Sequence, residues 1–212
     1  MKVGILGSGD VAKALGKGFL ACGHEVMLGS RDAAKVKGWN DHEKASAGTF
    51  AETAAFGELV VVAVKGTVAV EAVKLAGDHL AGKPVIDATN PIADAPPVNG
   101  ILQFFTGPND SLMERLQAAV PAAHFVKAFS CVGNPFMFKP TFPGGPPTMF
   151  ICGNNDVAKA TVRGVLDEFG WDVEDIGKVE GARAIEPLCQ LWCAPGMIRN
   201  SWTHAFKLLR LG

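Results

Sequence analysis

The hexapeptide Gly7-Ser8-Gly9-Asp10-Val11-Ala12 carries the most pointed chemistry in this 212-residue chain. It reads G-x-G-x-x-A, follows the apolar run KVGIL at 2–6 and opens a stretch of helical periodicity. In that setting Gly7 permits a tight turn. Gly9 omits the Cβ that would collide with a pyrophosphate, and Ala12 lets helix and strand pack closely. The first N–H groups of the helix, with its positive dipole end, then face the phosphates. The Walker loop does not fit, because six residues separate Gly9 from Gly16-Lys17 where that loop has four. The plainer alternative is a glycine-rich turn that binds nothing.

A dinucleotide reading makes a second position decisive. NAD sites place an acid at the end of the second strand, about 20 residues on, to clasp the ribose. Here the chain reads Gly29-Ser30-Arg31, with Lys35 one helical turn later. Ser30, Arg31 and Lys35 offer three donors to one dianion, which suits the 2′-phosphate of NADP rather than NAD. Asp32 competes as a ribose ligand but comes one or two residues late.

The elements that must position these groups alternate. Strand-like runs stand at 2–6, 25–28, 59–64, 84–87, 124–129, 148–152 and 171–176. Helical periodicity covers 10–22, 32–44 (a polar surface helix), 68–81, 110–120 with Asp110 as N-cap, and 156–169. It returns over 181–210, broken at Pro187 and Pro195. The run LVVVAV at 59–64 is the signature of a parallel strand covered on both faces. The expectation is an α/β fold: a Rossmann-type, doubly wound, mostly parallel sheet with a short C-terminal helical tail. Residues 1–180 would form the dinucleotide-binding domain, and 181–212 a tail packed on it or on a second subunit. Ligands of such sheets sit outside the carboxyl ends of the strands. That places Val64, Lys65, Asn90, Pro91, Ala128 and Phe129 at the site. The loop 133–147 brings Phe136, Met137, Phe138 and Phe142 there, either as an apolar wall for a flat ring or packed on its own core.

Composition narrows the classes. With 48% hydrophobic and 19% charged residues, the chain can bury one substantial core and is neither disordered nor a coiled coil. Lys plus Arg is 20 and Asp plus Glu is 21, so nothing argues for nucleic acid or an anionic membrane. The N-terminal apolar run, interrupted by Asp10, Lys13 and Lys17, is no signal peptide, and no stretch reaches the roughly 18 apolar residues of a span. Five cysteines without a framework read as free thiols of a reducing, cytoplasmic setting. Cys189 and Cys193, four apart, are half of a metal or redox site or simply two small core residues. The histidines lack metal spacing; His24, His42 and His79 read as surface, His124 as a strand start, and His204 as a tail residue that could approach a pocket. The absence of tyrosine rules out Tyr-Lys acid chemistry.

Taken together, VGILGSGDVA at 3–12, GSR at 29–31, VIDATNP at 85–91, VKAFSCVGN at 126–134 and PTMFICG at 147–153 resemble the F420-dependent NADP oxidoreductases. EPLCQLW at 186–192 and AFKLLR at 205–210 resemble bacterial members, so the likeness covers nearly the whole chain. More distantly the chain resembles the cytosolic domain of membrane ferric reductases. The resemblance implies NADP(H) as cofactor and a small-molecule redox acceptor, F420 or flavin-like. It implies hydride transfer between nicotinamide C4 and deazaflavin C5, which needs orientation more than an acid or base. It also implies that 64–67 and Asn90-Pro91 flank the ribose and nicotinamide, and that the protein is a homodimer. Lys127 reads most plainly as the partner of a carboxylate. Trp192, Pro195, Met197 and Trp202 would close the pocket or pair two subunits. Two departures fall where the second substrate would sit: Ser130, where the family often has Asn, and the Pro- and Phe-rich loop 133–147. Other readings are an NADPH sensor without turnover, or a reductase of imines or β-hydroxy acids. The latter usually carry a larger helical domain than about 30 tail residues can build.

Overall fold

The structure, a computed structural model, describes residues 1–211. Eight strands among them form one sheet in the order β3-β2-β1-β4-β5-β6-β7-β8. β1 (Lys2–Leu6), β2 (Glu25–Gly29), β3 (Ala45–Gly48), β4 (Leu59–Val62), β5 (Pro84–Asp87) and β6 (His124–Lys127) run parallel. β7 (Thr148–Gly153) is antiparallel to β6, and β8 (Asp172–Asp175) lies parallel to β7 at the edge.

Strand alternation divides the core into two layers. Leu59 and Val61 of β4 face the cluster under α1 (Asp10–Ala21) and α5 (Asp156–Glu168). Val60 and Val62 face the cluster under α2 (Phe50–Phe56), α3 (Ala69–Ala76) and α4 (Leu112–Ala119). With helices on both faces, every position of this strand is buried, so the run is apolar throughout. The winding reverses between β1 and β4, and the carboxyl ends of those strands open the crevice where doubly wound sheets take their ligands.

Three local expectations give way, and two elements are new. Residues 32–44 are not a helix: Asp32 caps a single 3-10 turn, Ala33–Val36, by accepting from the Ala34 N–H at 3.1 Å. The chain then turns at Gly38 (φ +66°) and returns as β3. β3 and α2 escaped the sequence reading because ASAG has no β-branched residue and α2 is only 7 residues, held by a Thr49–Glu52 capping box. Ser111 rather than Asp110 caps α4, its Oγ accepting from the Glu114 N–H at 3.2 Å. His24, expected at the surface, is buried, with Nε2 2.9 Å from Glu168.

The tail is helical only in its first part. α6 (Ala182–Ile185) leads into α7 (Pro187–Arg199), which Pro187 opens in the first turn, where no N–H is needed. Pro195 does not interrupt α7, because the carbonyl it leaves unbonded belongs to Leu191 on the exposed side. Asn200, left-handed at φ 52°, ends the helix. Beyond it, residues 201–211 run across β7 without helix: Thr148 N–H donates to the Phe206 carbonyl at 2.9 Å, and Leu208 N–H to Thr148 Oγ1 at 3.0 Å.

Candidate functional site

β1 delivers Gly7 into the crevice. A Cβ there would lie 2.3 Å from the Ala63 carbonyl oxygen and 3.2 Å from Ala12 Cβ, so Gly7 answers to the protein's own packing. A Cβ at Gly9 would meet nothing within 4 Å among the described residues. No protein contact requires glycine at position 9; its smallness leaves room for a ligand. Gly9 is the N-cap of α1 and supplies no side-chain cap, and the helical ladder begins with Lys13 N–H on the Gly9 carbonyl at 3.0 Å. The N–H groups of the first turn, Asp10-Val11-Ala12, are therefore available to an anion.

One cleft gathers Gly7, Ser8, Gly9, Ser30, Arg31, Lys35, Val64 and Lys65. Ser30 is fixed by its N–H on the Gly48 carbonyl at 3.1 Å, which ties the ends of β2 and β3. Asp32 also lines the cleft, but its carboxylate is engaged with its own turn and its N–H donates to Ser30 Oγ at 3.3 Å. The corner thus presents a hydroxyl, a guanidinium and an ammonium. Sequence reasoning missed the opposite wall: Val68, Glu71 and Ala72, with Phe50 from the start of α2. Glu71 Oε1 stands 3.8 Å from Arg31 Nη1, both side chains more than half exposed. The only advance signal for this wall was the helical period of 68–81, which gave no direction to Glu71.

Asn90, Pro91, Ala128 and Phe129 lie outside this cleft, at the carboxyl ends of β5 and β6. A buried ion network anchors them. Lys127 Nζ, fully buried, contacts Asp87 Oδ2 at 2.9 Å, Glu186 Oε1 at 3.0 Å and the Thr89 carbonyl at 2.6 Å. Asp87 Oδ1 accepts from the N–H (2.9 Å) and hydroxyl (2.6 Å) of Thr89, and Glu186 accepts from the N–H groups of Leu112 (3.0 Å) and Met113 (3.1 Å). Burial pushes the Lys127 pKa down, but the two carboxylates outweigh it and hold the ammonium above its usual value. Lys127 is thus the carboxylate partner its plainer reading described. Glu186 also fastens the start of the tail to the strand ends, a role the sequence did not reveal.

The loop 133–147 packs largely on the core. Met137 is buried, Phe138 meets Phe169 edge-on at 5.1 Å, and Phe136 pairs with Phe142 at 5.4 Å. The tail covers this loop: a Cβ on Gly133 would be 2.5 Å from the Trp192 ring, and Trp192 stacks on His204 at 5.1 Å while donating to its carbonyl at 2.9 Å. Cys189 and Cys193 share α7, with Cys189 buried. No group of three or more His, Cys, Asp or Glu among the described residues could hold a metal ion. No helix among them is long and apolar enough to cross a membrane.

Comparison with known proteins decides the family. Residues 2–91 match the family model described as NADP oxidoreductase, coenzyme F420-dependent. A protein from Arthrobacter sp. FB24, provisionally described as an F420-dependent NADP reductase, is 31% identical, with a TM-score of 0.92 over 99% of this chain and 100% of that one. The chain belongs to the F420-dependent NADP oxidoreductase family. Its relatives are NADP-dependent oxidoreductases. Metalloreductase STEAP3 of Rattus norvegicus is 32% identical over 88% of this chain, which spans only 36% of that protein's length. A reductive aminase from Aspergillus terreus, solved with NADPH and ethyl levulinate, shares the fold at 23% identity and a TM-score of 0.63, over 90% of this chain and 59% of its own. For a family member, the donor set fits NADP(H): an open glycine at the uncapped helix start, and at the ribose corner Ser30, Arg31 and Lys35, with Asp32 turned into its own 3-10 turn and Glu71 on the facing wall.

Proposed function

We propose that this family member transfers a hydride between NADP(H) and a flat deazaflavin or flavin-like acceptor, with F420 the first candidate. The observation that carries the reading is the full-length likeness to the Arthrobacter protein, joined to a cleft that runs from the Arg31 corner past the glycine turn to Val64 and Lys65, with the next residue, Gly66, packed on the Asn90 carbonyl. From β2 across β1, β4 and β5 to β6 is four strand spacings, about 19 Å in all, which suits an extended dinucleotide.

In this reading the first turn of α1 binds the pyrophosphate. Ser30, Arg31 and Lys35 bind the 2′-phosphate, while Val64, Lys65 and Asn90-Pro91 direct the nicotinamide half past β4 toward β5 and β6. Bound NADPH supplies the hydride. The protein's part is orientation and exclusion of water, for the ionisable groups at the ends of β5 and β6 are already committed: Asp87 and Lys127 to each other, and Lys127 also to Glu186. The tail and the loop 133–147 form the wall nearest the acceptor. The exposed apolar side chains Leu191, Met197 and Ile198 of α7 support a homodimer, and five free cysteines support a cytoplasmic setting.

The test is to mix the purified protein with NADPH and, in turn, F420, FMN and a ferric chelate, following loss of nicotinamide absorbance. Turnover with F420 is the expected result. Turnover only with the ferric chelate in the presence of flavin would favour a metalloreductase role, which the likeness to STEAP3 motivates. Tight NADPH binding with no acceptor turned over would replace the enzyme by a sensor.

A further inference from the structure

A second groove, of about 650 Å³, runs along α1, apart from the cleft that holds the adenosine corner. One wall is the face of α1 that carries Asp10, Lys13, Lys17 and Gly18. The loop 133–147 supplies the other wall with Asn134, Pro135 and Phe138. The two walls fit closely, because a Cβ on Gly18 would lie 3.0 Å from the rings of Phe138 and Phe169. Phe138 is held edge-on by Phe169 at 5.1 Å, and Lys139 Nζ stands 5.5 Å over the Phe138 ring. Three exposed ammonium groups, Lys13, Lys17 and Lys139, thus flank an apolar floor. None of the three has an ion-pair partner among the described residues. Asp10, at the end next to Gly9, is the sole acid among the described lining residues. In a chain of formal charge −1 this cationic excess is local, and it draws an anion to the groove.

Its position ties the groove to the acceptor. Asp10 follows Gly9 of the cradle, and Asn134 follows Gly133, where the loop after β6 passes under Trp192. From Asp10 to Ala21 the groove follows α1 for about 16 Å, long enough for an extended chain rather than a second ring. We propose that this groove binds the phosphorylated side chain of the acceptor, with Lys13, Lys17 and Lys139 attracting the phosphate. The proposal rests on the hydride-transfer reading and names a feature of the acceptor. F420 and FMN both carry a phosphate at the end of a ribityl chain, and a flavin or deazaflavin without that phosphate would lose the contact. NADP(H) has no need of these lysines. Its pyrophosphate has the N–H groups of the first turn of α1, and its 2′-phosphate has Ser30, Arg31 and Lys35 in the other cleft. Because the three ammonium groups are exposed, they act through screened charge, and salt must weaken them.

The test compares acceptors that differ only in the phosphorylated chain: F420 against FO, the same deazaflavin and ribityl chain without phosphate, and FMN against riboflavin. The proteins are the wild type, the double variant Lys13→Gln/Lys17→Gln, and Lys139→Gln. Steady-state kinetics give KM and kcat for each acceptor and for NADPH, and quenching of acceptor fluorescence by the NADP⁺-loaded protein gives binding without turnover. At low salt the double variant should raise the KM and Kd of F420 about three- to tenfold, and Lys139→Gln about twofold, with kcat little changed. FO and NADPH should be handled alike by all three proteins. In the wild type, added salt should weaken F420 and leave FO unaffected. The inference is overturned if F420 and FO shift together, if F420 does not shift, or if the KM of NADPH rises as much as that of F420, which would give the lysines to the dinucleotide. If only the flavins are turned over, the FMN–riboflavin pair decides in the same way. Failure of the wild type to turn over any of the four acceptors would instead remove the hydride-transfer reading, and this inference with it.

Discussion

Glu71 offers the sharpest test of the adenosine corner, because no NADP-binding pattern calls for an acid there. Its carboxylate is 3.8 Å from the Arg31 guanidinium, across the cleft that Ser30 and Lys35 also line. A 2′-phosphate seated on Arg31 must displace that contact. Exposed pairs of this kind contribute about 0.2–1 kcal/mol. The phosphate would also lie within about 8 Å of the carboxylate, one Debye length, where a unit charge pair in a water-like medium is worth about 0.5 kcal/mol. Together these make Glu71 a burden on NADPH of about 0.5–1.5 kcal/mol, or about two- to tenfold in affinity. Glu71→Gln should therefore tighten NADPH by that factor and leave NADH unchanged. Arg31→Ala should weaken NADPH about tenfold to a hundredfold, with little effect on NADH, since hydrogen bonds to a charged group contribute about 1.5–3 kcal/mol. In the double variant the gain from Glu71→Gln should shrink. Fluorescence titrations of the four proteins with both coenzymes, at low and high salt, measure all of this, and the Glu71 effect should fade as salt rises. If Glu71→Gln weakens NADPH, Glu71 preorganises Arg31 and the competition argument is wrong. If NADH follows NADPH in every variant, the corner does not bind a 2′-phosphate.

Three further outcomes follow from the packing and charges. Gly9→Ala should keep its melting temperature while losing NADPH about tenfold or more, whereas Gly7→Ala, forced against the Ala63 carbonyl, should lose stability; equal melting temperatures would refute the division of labour between the two glycines. Hydrogen bonding to Arg183 holds the Glu114 carboxyl below its usual range, so this pair stabilises the fold above pH about 4.3 and the contribution fades as pH falls through the lower folded value. Thermal melts from pH 7 to pH 3 should show a shallower acid decline in Glu114→Gln than in the wild type. Iodoacetamide near neutral pH should modify Cys193 first, since a hydrogen bond from Cys189 lowers its thiol pKa, while burial pushes Cys131 and Cys152 up to about 12; peptide mapping that finds Cys131 or Cys152 labelled first would contradict the burial argument.

The parts of this protein legible in one dimension are those whose chemistry is local. The cradle announces itself because a strand, a turn, an uncapped helix start and the room above Gly9 all depend on six successive residues. The same holds for Ser30-Arg31 and for the apolar run of β4, where burial on both faces forces the composition. Elements stabilised by partners distant in sequence were hidden or misread. β3 is strand because β2 lies beside it, not because ASAG prefers extension. The 201–211 segment gives up its helical periodicity because Asn200 ends α7 and β7 offers it hydrogen bonds.

The sequence by itself determined the α/β winding, the glycine turn into an uncapped helix start and the Ser30-Arg31-Lys35 corner, since periodicity and short-range geometry suffice for each. Only the tertiary structure decided that Glu71 opposes Arg31, that Lys127 is locked between Asp87 and Glu186, and that the Asn90 amide reaches the Ser130 carbonyl. Those pairs join residues 40 or more positions apart. Whether two such side chains meet is set by strand order and helix packing, which leave no periodic mark on the chain.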